Sequence, residues 1–177
     1  MQSVLLVVKP KWCELIASGK KTVEVRKTRP KCDAPFKCFI YCTKEFYRKG
    51  DGYFQGKYCG KVIGEFVCDK IDKIDVIDHE LMTYIRVNQK ADMFITQETC
   101  LEIDELQKYL DNKTGYGWHI SDLVIYDKPK ELSKFAKPCN HNCFAPCPYY
   151  QGKEYECEKP IITRPPQSWC YVEELEE

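Results

Sequence analysis

The first 26 residues place the tightest constraint on the fold. Residues 3–8 (Ser-Val-Leu-Leu-Val-Val) are a short, β-branched apolar run, which reads as a mostly buried strand. Pro10 suits the opening of a helix, because its fixed φ fits the first helical position and its missing N–H is not needed there. Trp12, Leu15 and Ile16 then share one helical face, and Gly19 is a natural left-handed stop. Thr22-Val-Glu-Val-Arg26 alternates, with Val23 and Val25 on one side and Thr22, Glu24 and Arg26 on the other. Strand, short helix and strand in so short a span set a mixed class from the outset.

Further strands are expected at 36–42, over one long or bent segment from Lys61 to Ile77 with Gly64 as a bulge, at 116–120, at 123–126 and at 168–172. Residues 49–56 read as a turn or flexible loop. A helix is expected over 97–111, with Thr99 and Glu102 as a capping box and Cys100, Ile103, Leu106 and Leu110 as its apolar stripe. Short strands with helices inserted early and midway indicate an α+β domain built on a small mixed barrel. A doubly wound sheet does not fit, because helices and strands fail to alternate regularly.

The 177 residues suit one domain, and 44% hydrophobic content can bury a core. No apolar run approaches the roughly 20 residues that a bilayer span requires. The opening run is too short for a signal-peptide core, so a cytoplasmic protein without membrane association is expected. Of the 12 cysteines, Cys13, Cys38, Cys42, Cys59, Cys68 and Cys100 fall in strand-like or helix-like stretches, where a reduced thiol acts as a small hydrophobe. The zero net charge conceals an asymmetry: residues 1–61 carry 14 Lys and Arg against 5 Asp and Glu, and the remainder carries 13 against 22. A basic half suits a surface that meets phosphates, although two halves neutralising each other in the fold would leave the same count.

The most informative segment is residues 19–26 (Gly-Lys-Lys-Thr-Val-Glu-Val-Arg). Lys21 stands at the helix exit, and Glu24 and Arg26 follow on one strand face. Such a group can hold an anion or a base edge, with Lys21 as a point charge, Arg26 as a planar fork and Glu24 as an acceptor. The same residues also describe an ordinary Glu24–Arg26 ion pair on a solvated face, worth about 0–1 kcal/mol.

The spacing G-x-K-x-x-E-x-R, met by Gly19, Lys21, Glu24 and Arg26, resembles the signature of the ASCH domain family. Its setting agrees: a strand ends in Lys9-Pro10, a short helix carries Trp12 and Ile16, and Trp118-His119-Ile120 leads into the 123–129 segment. The resemblance covers most of residues 3–129. It implies a PUA-like barrel of about residues 1–136 and 160–175, with a cleft beside the first helix and RNA or a nucleotide-like molecule as ligand. Lys21, Glu24 and Arg26 would line that cleft, with Lys9, Lys11, Trp118 and His119 around it. Some ASCH proteins are amidohydrolases acting on acetylated cytidine, and some are nucleases. The amidohydrolase pattern has a nucleophilic threonine three residues after the lysine, where this chain has Glu24. Thr22 is the nearest hydroxyl, and it would need a base beside it. Catalysis through Lys21, Glu24, Arg26 and Thr22 is therefore the alternative to binding alone.

Three other features complete the reading. Cys139, Cys143, Cys147 and Cys157, with His141 as a substitute, gather in a proline-stiffened Cys-rich insertion at about 137–159, before the last strand. Four thiolates can hold a structural zinc, and a zinc-ordered loop could serve as a protein-interaction module; reduced thiols, an adventitious disulfide or an iron–sulfur cluster are the other readings. His119 is a candidate acid or base, although a lone strand histidine is more often simply packed. Tyr41, Phe46, Tyr47, Tyr53, Phe54 and Tyr58 interleave with Lys44, Arg48, Lys49 and Lys57, a mixture suited to single-stranded nucleic acid.

Overall fold

The structure is a computed structural model that describes residues 2–49, 52–55, 58–138 and 160–175, with 46–49 and 52–55 described as backbone strands. Strand β1 (Ser3–Val8) leads into helix α1 (Pro10–Ala17), and β2 (Val23–Arg26) and β3 (Phe36–Cys42) follow. A hairpin of β4 (Phe46–Lys49) and β5 (Gly52–Gln55) precedes β6 (Val62–Cys68), β7 (Ile71–His79), β8 (Met82–Val87) and β9 (Lys90–Ala91). Helices α2 (Ile95–Thr99) and α3 (Ile103–Leu110) come next, then β10 (Gly115–His119), β11 (Ser121–Lys130), β12 (Phe135–Ala136) and β13 (Trp169–Glu174).

The expected opening forms. Pro10 starts α1, and Gly19 takes φ +73° just beyond its end. A Cβ on Gly19 would meet nothing within 4 Å, so the glycine answers to backbone conformation alone. β1 reads as a continuous apolar run because it is covered on both faces and paired on both edges. It runs parallel to β3 on one side and antiparallel to β13 on the other.

A six-stranded sheet has the order β11-β6-β3-β1-β13-β12, and a five-stranded sheet has β2-β10-β7-β8-β9. Between them lies a core of Leu6, Phe36, Ile40, Phe66 and Trp118, sealed by Cys13 and Ile16 of α1. A second core on the far face of the large sheet gathers Leu5, Phe39, Tyr41 and Phe135. A third packs Val23, Val25 and Ile74 of the small sheet against Leu106 and Leu110 of α3. The architecture is mixed α+β with few helices, as expected. The strands divide among separate sheets, and no closed barrel is found among the described residues.

Three local expectations are corrected. The segment 61–77 is two strands in two different sheets, broken at Asp69-Lys70. The irregularity foreseen at Gly64 is real: Ile40 pairs with Gly64 and Tyr41 with Val62, leaving Ile63 extra. Gly64 is also required sterically, since a Cβ there would lie 2.3 Å from the Val124 carbonyl oxygen. The helix expected over 97–111 is two helices, with Cys100 left-handed at φ +52°. The capping box is built by Glu102 and Glu105, not by Thr99 and Glu102.

Cys13, Cys38, Cys42 and Cys68 are buried as small apolar residues, and burial pushes the Cys68 thiol up to about 12. Cys59 instead stands in a turn, and Cys100 marks the break between the helices. The Cys-rich insertion with Cys139, His141, Cys143, Cys147 and Cys157 lies outside the described residues, as do the side chains from Phe46 to Lys57. Among the described residues no group of side chains suited to a metal ion is present, and no helix is long and apolar enough to cross a membrane.

Candidate functional site

Lys21, Glu24 and Arg26 come together at the junction of α1, β2 and α3, and all three are buried, at 2%, 5% and 9% exposed. The Glu24 carboxylate bridges its neighbours: Oε1 lies 2.9 Å from an Arg26 terminal nitrogen and Oε2 lies 3.3 Å from Lys21 Nζ. Lys21 Nζ also donates to the Thr99 carbonyl, and Arg26 donates to the Val7 carbonyl. The ion pair that the sequence allowed on a solvated face is therefore an interior one.

Its long-range partner explains the broken helix. In a continuous helix the Thr99 carbonyl would accept the amide of residue 103. Here it accepts the Lys21 ammonium, and the chain turns left-handed at Cys100 before α3 starts with its own cap.

The trio has one carboxylate for two cations, a net charge of +1 in a nearly closed setting. Arg26 Nε is buried with no acceptor among the described residues, as is Nε1 of Trp118, which stands opposite Glu24 across the β2–β10 pair. Three aromatic rings rim the site, each beside a cation. Lys11 Nζ lies 4.3 Å and Lys21 Nζ 5.1 Å from the Trp12 ring, Lys27 lies 5.3 Å from Tyr109, and Arg29 lies 6.0 Å from Tyr116. Tyr116 is directly opposite Arg26 on the neighbouring strand. The Tyr109 hydroxyl is pushed up by burial and by the Glu24 charge, against the pull of Arg26.

Lys11 pairs with Glu105 of α3 at 3.9 Å, tying the two helices across the site's mouth, and Lys9 pairs with Glu45 at 3.4 Å. Thr22 is exposed, one residue outside the strand, and its amide and carbonyl are bonded to Glu98 and Ile120. No base is set against its hydroxyl among the described residues, and the amine of the adjacent Lys21 is held by Glu24 and Thr99. The buried Cys13 thiol is held well above its ordinary value by its hydrogen bond with Cys42, by burial and by the Glu24 charge, which is the wrong direction for a nucleophile.

Trp118 and His119, which the sequence placed together, separate onto opposite faces of β10. Trp118 shares the face of Glu24 and is fully buried, whereas His119 pairs opposite Val23. Its Nε2 lies 2.7 Å from Asp72 Oδ2, which also meets Lys70 at 2.7 Å, while Asn88 donates to Asp72 Oδ1 at 2.6 Å. Burial alone would raise the Asp72 carboxyl, but these three partners outweigh it and hold it below the usual carboxylate range. A depressed carboxylate contributes stability above its unfolded pKa and loses it as pH falls through the folded one. Asp72→Asn should therefore lower stability by about 1–3 kcal/mol at pH 7. Urea unfolding of both proteins should show that gap narrowing below about pH 4, and a gap that stays constant to pH 2 would contradict this account of Asp72.

Thr99, Tyr109 and Glu105 were not foreseen at the site. They lie 78 to 88 residues from Lys21 in the chain, and only the pairing of Glu105 with Tyr109 one turn apart on α3 carried a local signal.

The ASCH domain family model matches residues 6–161. The crystal structure of ASCH from Zymomonas mobilis is similar with a TM-score of 0.51 at 20% identity, over 73% of each chain. A Tyr-to-Phe variant of that protein gives 0.51 at 19% identity, over 75% of this chain and 77% of the other. No curated protein sequence matches. At these identities the solved structures speak to fold, whereas the family match spans most of the sequence, signature segment included. The chain belongs to the ASCH domain family.

Proposed function

We propose that the protein binds RNA or a nucleotide-like ligand at the mouth of the Lys21–Glu24–Arg26 site. The observation that carries this reading is the charge of the buried trio: one carboxylate between two cations, with Arg26 Nε lacking an acceptor. An uncompensated buried charge is costly, and an anionic group at the mouth would offset it. The rim supplies what a base needs, since Trp12, Tyr109 and Tyr116 offer rings, and Lys11, Lys27 and Arg29 offer positive charge beside them. Membership of the ASCH family points the same way. Binding is favoured over hydrolysis because Thr22 has no base beside it among the described residues and Lys21 is committed to its partners.

The test is a fluorescence titration with a short single-stranded RNA at two salt concentrations. Binding should weaken with salt by about 0.7 in log K per log salt for each phosphate contact. Lys27→Ala with Arg29→Ala, both exposed in the folded chain, should reduce affinity about tenfold and flatten that slope. Lys21→Ala, checked by thermal melting, should reduce it further. Wild-type protein that shows no saturable binding at low salt would overturn the reading.

A further inference from the structure

On the opposite face of the large sheet lies a second groove of about 420 Å³, a volume within the range of small-molecule sites. Tyr41 and Thr43 form part of its lining, Lys44 and Arg164 stand at its sides, and Leu132 and Pro165 add apolar wall. It is separate from the Lys21 site, because Tyr41 belongs to the core of Leu5, Phe39 and Phe135, whereas its strand neighbours Ile40 and Cys42 face α1.

Its polar groups are unusually unoccupied. Tyr41 is 3% exposed, and no hydrogen bond engages its hydroxyl among the described residues. Thr43 Oγ1 is buried without a partner among the described residues. Lys44 and Arg164 have no ion-pair partner among the described residues, while the groove's one carboxylate, Glu131, is taken by Lys61. The Lys44 stem lies across Gly60, where an added Cβ would come within 2.5 Å of it, and both residues line the groove. Buried hydroxyls are ordinarily satisfied. Among the described residues Thr43 Oγ1 is one that is not, and with the Tyr41 hydroxyl and two cations that lack an ion-pair partner there it forms a set of donors short of an acceptor.

We infer that this groove binds a phosphate ester, with Lys44 and Arg164 pairing with its oxygens and the Tyr41 hydroxyl donating from the floor. Arg presents a planar fork and Lys a point charge, the combination that phosphate oxygens favour. The ester comes from either a free mononucleotide or the backbone of an RNA strand. This site does not depend on the reading of the Lys21 site.

The experiment is calorimetric titration of the full chain with adenosine monophosphate, pyrophosphate, adenosine and a six-nucleotide adenylate RNA. Wild type should bind the phosphate-bearing probes and not adenosine. Lys44→Ala with Arg164→Ala should weaken that binding about tenfold or more, and Tyr41→Phe should weaken it severalfold at unchanged melting temperature. A loss confined to the RNA assigns the groove to backbone phosphates, and a loss for the mononucleotide assigns it to a free nucleotide. If the double substitution changes the binding of no probe, the proposal is wrong.

Discussion

Glu24→Gln should lower the unfolding free energy by about 3–5 kcal/mol, while Lys21→Met costs distinctly less. The reason is arithmetic at the buried trio. Removing the only carboxylate raises the site's charge from +1 to +2 with both cations still out of water. Removing Lys21 instead leaves a neutral Glu24–Arg26 pair at 2.9 Å, and methionine fills the space of the lysine stem. What Lys21→Met does lose is the donor to the Thr99 carbonyl, a single charged hydrogen bond. Denaturant unfolding of the two variants at neutral pH orders them. Equal losses, or Lys21→Met as the worse, would mean that the three charges are not the closed set described here. A surface pair would show about 0–1 kcal/mol for either change, so the size of the loss also separates the interior arrangement from a solvated one.

That contrast marks where reading residues in order succeeds and fails. Period-two alternation placed Glu24 and Arg26 on one face and Val23 and Val25 on the other, and the two faces lie in different surroundings in the folded chain. Alternation says nothing of what covers a face. The covering elements here, α3 with Tyr109 and the end of α2 with Thr99, arrive from more than 70 residues away. The helix break at Cys100 was illegible for the same reason, since the apolar stripe continues through it and the competing donor is a distant lysine. The join between β6 and β7 passed unseen because Asp69-Lys70 contains neither glycine nor proline. Trp118 and His119 were grouped by adjacency, although strand neighbours necessarily point to opposite faces. Pro10 and Gly19, by contrast, act through their own backbones, and both stand where local chemistry placed them.

Trp118 gives the second large effect. It is fully buried, packs edge-on against Phe36 at 5.6 Å and lies 5.9 Å from Trp169, joining the small sheet to the core beneath the large one. Trp118→Ala should cost about 3–5 kcal/mol, roughly 6–20 °C in Tm for a chain of this size. Trp118→Phe is the more informative change, because two terms oppose each other. The smaller ring loses contacts and leaves a void, yet it also removes an indole N–H that is buried with no acceptor, a penalty of about 1–3 kcal/mol in the wild type. The net loss should stay below about 1.5 kcal/mol. Thermal melts of the two variants test this directly. A phenylalanine variant as unstable as the alanine one would show that Nε1 is satisfied in solution, as by a buried water. The interior behind Glu24 would then be hydrated, with a lower cost for its net charge and correspondingly less demand for an anion at its mouth.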